Sequence, residues 1–345
     1  MILTSGEIYF MGEKDLKTGK DSPFVKIGLV RDSESRDSAK RLKDHQTGNP
    51  RKLHIVKVVN SPAVERVETV LHGKYATSRV SGEWFYFDDS PIDDVIKQAS
   101  SLAKSVKNNI YALEQADHLE KKKSTSKILN STSGINKWYN EYIRASFQLK
   151  LCAESIKMIQ NSLIEASRLK LDIRHIIDLQ KRKASMKFDE TGFKEKYPKI
   201  WSEFTVTSLD IKQRFNWVKV KGKDFDLQKI NLELHDLLAE SMSLAKSPIT
   251  RESAAERLHF NYLRTLTFQV PLGLTTELAE ANVKSACGSA SGIEDVCAWS
   301  RTVEEVSKID KDALKAKHLK KYEAFVSQSS GSEAAVLAKD RGFRV

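Results

Sequence analysis

Residues 6–30 read GEIYFMGEKDLKTGKDSPFVKIGLV, and this stretch decides the fold of the amino-terminal part of the chain. Two runs within it, GEIYFM at 6–11 and FVKIGLV at 24–30, are rich in the β-branched and aromatic residues that favour strands. The segment between them is polar and contains glycine, so the simplest arrangement is an antiparallel pair. A third run, KLHIVKVV at 52–59, extends the pair to a small three-stranded antiparallel sheet.

Helices are expected to flank this sheet. The segment SRDSAKRLKDHQT at 35–47 has helical periodicity and ends at the helix-stopping sequence GNP of 48–50. A second helix is expected over about 61–75 and a third over about 91–106. The second carries an apolar stripe at helical spacing that should face the sheet. The stripe consists of Val64, Val67 and Leu71. We therefore predict an α+β domain over 1–106.

From this point onward the pattern is almost entirely helical. We predict a helix and polar linker over 107–136, an all-α domain over 137–327 and a partly disordered tail over 328–345. Residues 137–186 contain neither glycine nor proline and carry apolar residues at roughly heptad spacing, so one long helix is expected there. It could belong to a dimeric coiled coil or lie inside a bundle. Further helices are expected at 226–246, 251–268, 275–287, 292–308 and 311–327. The fold class is a small α+β domain followed by a mainly α-helical region.

The composition is that of an ordinary globular protein, with 40% hydrophobic and 30% charged residues. The first residues lack the basic and apolar regions of a signal peptide, and no run of eighteen apolar residues occurs. Neither secretion nor a membrane span is therefore expected.

The cysteines Cys152, Cys287 and Cys297 are widely spaced and have no zinc-ligand pattern. They are expected to be buried thiols in a reducing compartment, which points to the cytoplasm.

The distribution of charge favours a polyanionic partner. The chain carries a net charge of +11, with 57 basic and 46 acidic residues. Residues 1–96 contain 15 of each, so the whole excess lies in the remainder. If nucleic acid is the partner, the electrostatic attraction comes mainly from the helical region, although basic residues on helices are often just a solvated face.

Two helix faces carry residue types that can do chemistry. In the second helix Glu65, Glu68 and His72 form a stripe beside the apolar one. A carboxylate followed by a histidine one turn later can hold a metal ion or position a water molecule at the sheet edge. In the first helix Arg41 and His45 share one face. Periodicity alone favours an ordinary solvated surface for both.

Five short motifs follow one another along residues 5–90. They are G-E-I-Y, V-K-I-G, K-R-L-x-x-H-Q-T-G-N-P, E-x-x-L-H and G-E-W-F. Their order and spacing resemble the GIY-YIG nuclease superfamily, and in particular its branch described as a bacteriophage-type DNA-binding domain. The resemblance implies hydrolysis of DNA phosphodiester bonds with the help of one divalent cation, Mg²⁺ or Mn²⁺.

The resemblance also implies roles for individual residues. Tyr9 matches the tyrosine that takes part in activating the attacking water. Arg41 matches the arginine that binds the phosphate and stabilises the charge developing on it. Glu68 matches the glutamate that coordinates the metal ion. Gly28 ends the second motif, where the missing side chain would let strand and phosphate approach closely. A fixed guanidinium and a metal-bound carboxylate are what phosphodiester hydrolysis requires.

The sequence departs from the family pattern at two positions. Glu7 stands where the first triplet has glycine, and Lys26 replaces the tyrosine of the second triplet. A lysine there could still contact phosphate, so we include Lys26 among both the catalytic and the nucleic-acid-binding candidates. His45 and His72 lie near the matched residues and could carry a proton or assist the metal ion.

Further nucleic-acid contacts are expected from basic residues. Lys43 lies on the first helix beside the matched arginine. In 193–223 eight basic residues against three acidic ones are interleaved with aromatic rings, an arrangement that can follow a phosphate backbone while bases stack. Its candidates are Lys212, Arg214 and Lys219. The alternative, which we favour, is that the aromatic rings fill a core while the lysines face water.

Three functions are compatible with these features. The first is a metal-dependent DNA endonuclease whose basic helical region binds substrate, forms a homo-oligomer or regulates activity, with a role in phage–host conflict such as antiviral defence. The second is a catalytically inactive DNA-binding protein with the same fold. The third is a helical sensor or scaffold that carries a small nuclease effector.

Overall fold

The computed structural model describes most of the chain. The described residues are 3–88, 91–169, 171–218, 231–328 and 333–342. Within them an antiparallel sheet with helices is followed by a mostly helical region, which confirms the predicted fold class. Among the described helices, none combines the length and the apolar character that a membrane span requires.

The amino-terminal sheet has five strands rather than the three predicted. They are β1 Gly6–Lys14, β2 Asp21–Arg31, β3 Leu53–Ser61, β4 Arg79–Ser81 and β5 Trp84–Tyr86. Their order is β3-β1-β2-β5-β4, and all neighbours are antiparallel. The number three was wrong because β4 and β5 have only three residues each, too few to produce an alternating pattern. Gly82, with a φ of +54°, forms the turn between them.

Three helices cover the two faces of this sheet. They are α1 Ser38–Gln46, α2 Val64–Lys74 and α3 Ile92–Asn108. Ile8 and Phe10 of β1 point to the face covered by α2 and α3, whereas Tyr9 and Met11 point to the face covered by α1. The predicted apolar stripe of α2 is fully buried, as expected.

Beyond residue 108 helices alternate with short and long strands. The elements are α4 Ile110–Glu120, β6 Ile128–Leu129, α5 Ser133–Arg168, β7 Ile177–Lys181, β8 Met186–Phe188, α6 Glu190–Lys196, α7 Pro198–Glu203, β9 Thr205–Trp217, α8 Leu232–Ala245, α9 Glu252–Cys287, β10 Gly292–Ile293, β11 Cys297–Ile309, α10 Lys311–Glu323, β12 Val326–Gln328 and β13 Glu333–Leu337. β13 lies in the tail that we expected to be partly disordered and pairs with β7.

The long helix predicted over 137–186 is α5, which begins and ends earlier. Its apolar stripe continues past Arg168 into Ile173 and Ile177, which are also buried but lie in a turn and in β7. The spacing of apolar residues could not distinguish these conformations, because both bury the same side chains. Of the two packing alternatives, the structure has α5 packed against α8 and α9 of the same chain.

The expectation of an all-α domain over 137–327 is wrong, because this region contains a long pair of strands. β9 and β11 form an antiparallel ladder of thirteen residue pairs, from Trp217 opposite Cys297 to Thr205 opposite Ile309. The helix expected at 292–308 is largely β11. Apolar residues three and four apart suggested a helix, but pairing with a strand about ninety residues away decides the conformation. Such pairing leaves no local signal.

The helix α9 links the amino-terminal domain to the rest. Its Leu274, Leu278 and Ala281 belong to the same core as the sheet and α2, together with residues of α4. Gly73 of α2 lies so close to α9 that a Cβ there would overlap the side chain of Val270. The division of the chain at residue 106 remains a prediction, and this core extends across it.

Candidate functional site

The polar residues singled out in the sequence meet at the end of β2 that β5 leaves unpaired. β5 pairs with β2 only as far as Lys26. Beyond that point the polar stripe of α2 lies along the outer edge of β2. His72 Nε2 donates to the carbonyl of Ile27 over 2.9 Å, and Arg31 Nε donates to Glu65 Oε1 over 2.6 Å. The expected stripe of α2 is therefore at the sheet edge, as the sequence indicated.

Tyr9 lies directly over Gly28, its partner across the β1–β2 ladder. A Cβ at residue 28 would be 2.5 Å from the Tyr9 hydroxyl oxygen. The missing side chain thus makes room for the phenol ring, whereas we had expected it to admit a phosphate. Burial, and then the charge of Glu83, raise the pKa of Tyr9 to about 12. The phenol is therefore protonated at neutral pH.

Glu68 is a half-buried carboxyl on the stripe of α2. Burial, followed by the negative charge of Glu83, raises its pKa to about 7. Among the described residues it has no hydrogen-bond or ion-pair partner. The charges that lower its pKa in part are those of Arg31, Lys26 and Arg79. A carboxyl in this state can gain a cation without giving up an existing contact.

Lys26 is 8% exposed and pairs with a carboxylate that sequence reasoning assigned no role. Its Nζ lies 2.5 Å from Oε2 of Glu83, in the turn between β4 and β5. The backbone carbonyl of Glu83 also accepts the Ile27 N–H over 3.0 Å. Burial raises the pKa of Glu83, but the hydrogen bond and charge of Lys26 outweigh it and keep the pKa below its usual value.

Glu83 is thus central to the site, since its charge acts on the pKa of both Tyr9 and Glu68. It is the glutamate of the G-E-W-F motif. One signal could have identified it. A lysine in the middle of a buried strand needs a counter-ion, and glutamates in following turns are the candidates.

Arg41 is held by an acidic residue of the preceding loop. Its Nη2 donates to Glu34 Oε2 over 3.1 Å, and Glu34 also accepts from Arg31 over 3.0 Å. The Nε of Arg41 is buried and has no hydrogen-bond partner in the described part of the chain. The Arg41 side chain as a whole is 28% exposed, so the outer part of the guanidinium can bind an acceptor such as a phosphate oxygen.

His45 and His72 are both near the matched residues. Burial is the main cause that lowers the pKa of each, so both rings are neutral at pH 7. Since a carbonyl only accepts, the bond to Ile27 places the proton of His72 on Nε2 and leaves Nδ1 bare. His72 therefore joins α2 to β2, whereas His45 forms no hydrogen bond with another described residue.

The remaining nucleic-acid candidates are not all brought to this place. Lys43 is exposed on α1. Lys212 and Arg214 are exposed on β9, outside the amino-terminal domain, and Lys212 pairs with Glu304 at 3.0 Å. Lys219 lies outside the described residues. Of the aromatic rings of this segment, Phe193 and Phe204 are buried in one core, as the favoured alternative expected. The other rings are only partly buried against that core or a second one; they are Tyr197, Trp201, Phe215 and Trp217.

A metal ion at this site would have few protein ligands. In the described ranges no group of three or more His, Cys, Asp or Glu side chains is arranged to hold a metal ion. Mg²⁺ does not need one, because it keeps several waters and uses one or two carboxylates together with phosphate oxygens of the substrate. The unpartnered carboxyl of Glu68 fits that donor set.

The comparison with protein families agrees with this geometry. Residues 6–100 match the T5orf172 domain. This phage-associated domain is related to nuclease folds of the GIY-YIG type. The match spans just over a quarter of the chain and contains every residue of the site described above. No curated protein and no solved structure matches the chain.

Proposed function

We propose that the T5orf172 domain is a metal-dependent endonuclease that hydrolyses DNA phosphodiester bonds. One observation carries the proposal. Tyr9, Arg41 and Glu68, the residues that resemblance to the GIY-YIG superfamily assigns, lie around one end of β2. The guanidinium of Arg41 is partly exposed, and the Glu68 carboxyl has no partner in the described part of the chain. Both are suited to a phosphate and its cation.

Glu68 would hold the divalent cation, Mg²⁺ or Mn²⁺. The bound ion would neutralise phosphoryl oxygens and act as a Lewis acid. Before it binds, burial and the repulsion from Glu83 raise the pKa of Glu68 to about 7 and keep its carboxyl partly protonated near neutral pH. Binding of a cation is therefore coupled to release of a proton from Glu68.

The other side chains divide the work on substrate and water. Arg41 donates hydrogen bonds to phosphate oxygens and stabilises the charge that grows on them. Tyr9, protonated because its pKa is about 12, orients the attacking water through its hydroxyl. His45 is neutral, so its ring can accept the proton that the water loses. The ion pair of Lys26 with Glu83 places one positive and one negative charge next to these groups.

One observation favours the alternative of a catalytically inactive DNA-binding domain. Lys26 stands at the position of the second tyrosine and is occupied by Glu83 rather than free for substrate. In that case Arg41 and the exposed Lys43 would hold phosphates without cleavage. The helical region as a site of homo-oligomerisation or sensing remains a prediction.

Cleavage assays with matched variants test the proposal. Plasmid, duplex and single-stranded DNA are incubated with the full chain and Mg²⁺, Mn²⁺ or EDTA. We expect cleavage that needs the metal and falls at least 100-fold in Glu68→Ala and Arg41→Ala, while both variants still unfold in a cooperative transition well above the assay temperature. If the wild type binds these DNAs but cleaves none of them with either metal, the inactive-domain alternative is correct.

A further inference from the structure

A small lobe at the carboxyl side has a core of its own. We call it the distal module; it consists of residues 186–204 and 310–328, which include β8, α6, α7, α10 and β12. Phe188, Phe193 and Leu314 are buried in it, and β8 pairs with β12. These side chains belong to a cluster separate from those of the T5orf172 domain and the long helices.

Two antiparallel ribbons join the distal module to the body. One is β9 with β11, whose thirteen pairs span about 40 Å at the usual rise of a strand. The other is β7 with β13. Within the described ranges nothing covers Leu209, which lies in the middle of the first ribbon and is 76% exposed. The distal module is therefore held at the far end of the ribbons rather than packed on the body.

Three lysines of the distal module stand next to aromatic rings. Lys321 Nζ lies 5.2 Å and Lys196 Nζ 5.9 Å from the ring centre of Tyr197, and Lys194 Nζ lies 6.0 Å from that of Trp201. All three lysines are exposed, and both rings are partly exposed. Lys194 and Lys196 come from α6 and Lys321 from α10, so the chain brings together residues more than a hundred positions apart.

These lysines differ from their neighbours in having no carboxylate partner among the described residues. In the same module Lys311 pairs with Glu190 at 2.7 Å, and Lys317 with Glu203 at 3.6 Å. α10 as a whole carries five lysines against two carboxylates. The exposed carboxylates of Glu195 and Glu323 lie on the same helices and reduce the local charge without neutralising it.

We propose that the distal module is a second nucleic-acid contact of this chain. Lys194, Lys196 and Lys321 would bind backbone phosphates, and the partly exposed rings of Tyr197 and Trp201 would contact sugars or bases. Cations beside aromatic faces suit this ligand, because phosphates need positive charge while bases and sugars need an apolar surface. The inference rests on the proposed function only in taking nucleic acid as the shared ligand.

The position of the distal module gives the second contact a specific consequence. Two contacts on one chain act together only on a nucleic acid long enough to reach both. We expect a duplex shorter than the β9–β11 ribbon to reach only one of the two contacts at a time. Removal of the distal lysines should therefore weaken binding to long DNA strongly and binding to short DNA little.

A charge-matched pair of variants tests the inference. In the first, Lys194, Lys196 and Lys321 are changed to Gln; in the control, the exposed Lys104, Lys137 and Lys157 of α3 and α5 are changed to Gln. Binding of the full chain to labelled 60-mer and 10-mer DNA, single-stranded and duplex, is measured by anisotropy in EDTA from 50 to 200 mM salt.

We expect the distal variant to bind the 60-mer at least 10-fold more weakly than the wild type, with a salt slope smaller by about two to three. The affinity of the control variant for the 60-mer should change by less than about threefold. Equal losses in the two variants, or wild-type binding by the distal variant, would overturn the inference. Because EDTA prevents metal-dependent cleavage, the outcome is independent of the nuclease proposal.

Discussion

The phenol ring of Tyr9 occupies the space that a side chain at residue 28 would need. Both residues are in register across β1 and β2, and a methyl group at residue 28 would lie 2.5 Å from the Tyr9 hydroxyl oxygen. The glycine is thus required by a neighbouring side chain. Backbone conformation is not the reason, since the φ of Gly28 is outside the left-handed region.

Gly28→Ala should therefore displace Tyr9. We expect a loss of about 1–3 kcal/mol in the free energy of unfolding, because the buried ring has no free space to move into. Urea unfolding measures it. In a Tyr9→Ala background the same substitution should cost much less, since the obstacle is gone. An equal cost in both backgrounds would contradict the contact.

Glu68 should make stability depend on pH. Its pKa rises from 4.5 to about 7 on folding, so the folded protein binds more protons than the unfolded chain between these values. The contribution is favourable below pH 4.5 and is lost as pH rises to about 7, by at most about 1.4 kcal/mol per pH unit. Glu68→Gln should remove this slope.

The same variant tests the cation. At pH 7.5 Mg²⁺ should raise the unfolding temperature of the wild type, because the ion binds the ionised carboxyl of the folded state. Glu68→Gln should not respond, and neither should the wild type at pH 5, where Glu68 is protonated. Differential scanning fluorimetry with Mg²⁺ and with an equal ionic strength of Na⁺ separates binding from screening. A wild-type response equal in both salts would argue against a site at Glu68.

Lys26 and Glu83 should be coupled in a double-mutant cycle. Lys26→Met leaves the Glu83 carboxylate without its cation, and Glu83→Gln leaves a charged amine in a buried place. Because Glu83 is 41% exposed, we expect each single change to cost only about 1–3 kcal/mol. The double variant should be closer to the wild type than the sum of the two. Additive losses would mean that the pair is not formed in solution.

Arg301 should be essential to the stability of the helical region. It is fully buried, donates to the carbonyls of Gly288, Ala290 and Leu119, and stacks on Trp299 with its Cζ 3.7 Å from the ring centre. Arg301→Met removes these hydrogen bonds and the contact with Trp299 from a buried place, at an expected cost of about 2–4 kcal/mol. The exposed residue Arg214 offers the control, since Arg214→Met should change stability by less than about 0.5 kcal/mol.

The local features of the site could be predicted from the sequence. The apolar stripe of α2 and its neighbouring stripe of Glu65, Glu68 and His72 follow directly from helical spacing, and the structure has the first in the core and the second at the sheet edge. Gly28 and Tyr9 were picked out by motif. The physical reason for the glycine could not be predicted, because it is the contact of Gly28 on β2 with the Tyr9 ring on β1.

Features that depend on pairing between distant segments could not be predicted. β11 has apolar residues at spacings that also suit a helix, and only β9, far away in sequence, makes it a strand. The role of Glu83 is similar, since its carboxylate acquires meaning only when the β4–β5 turn brings it to Lys26. Lys194 and Lys196 lie in a basic and aromatic segment that is recognisable in the sequence. Nothing in the sequence indicates that Lys321 lies beside the ring of Tyr197 as well.

Three α9 residues complete the core of the amino-terminal domain, which has a consequence for synthesis of the chain; they are Leu274, Leu278 and Ala281. A ribosome has made most of the chain before it reaches them. Until then the apolar face of α2 and α4 has no complete cover, and the helix that carries Glu68 lacks its ion pair from Arg66 to Glu277. The nascent chain therefore completes the packing around its candidate site late, when most of the helical region has already been synthesised.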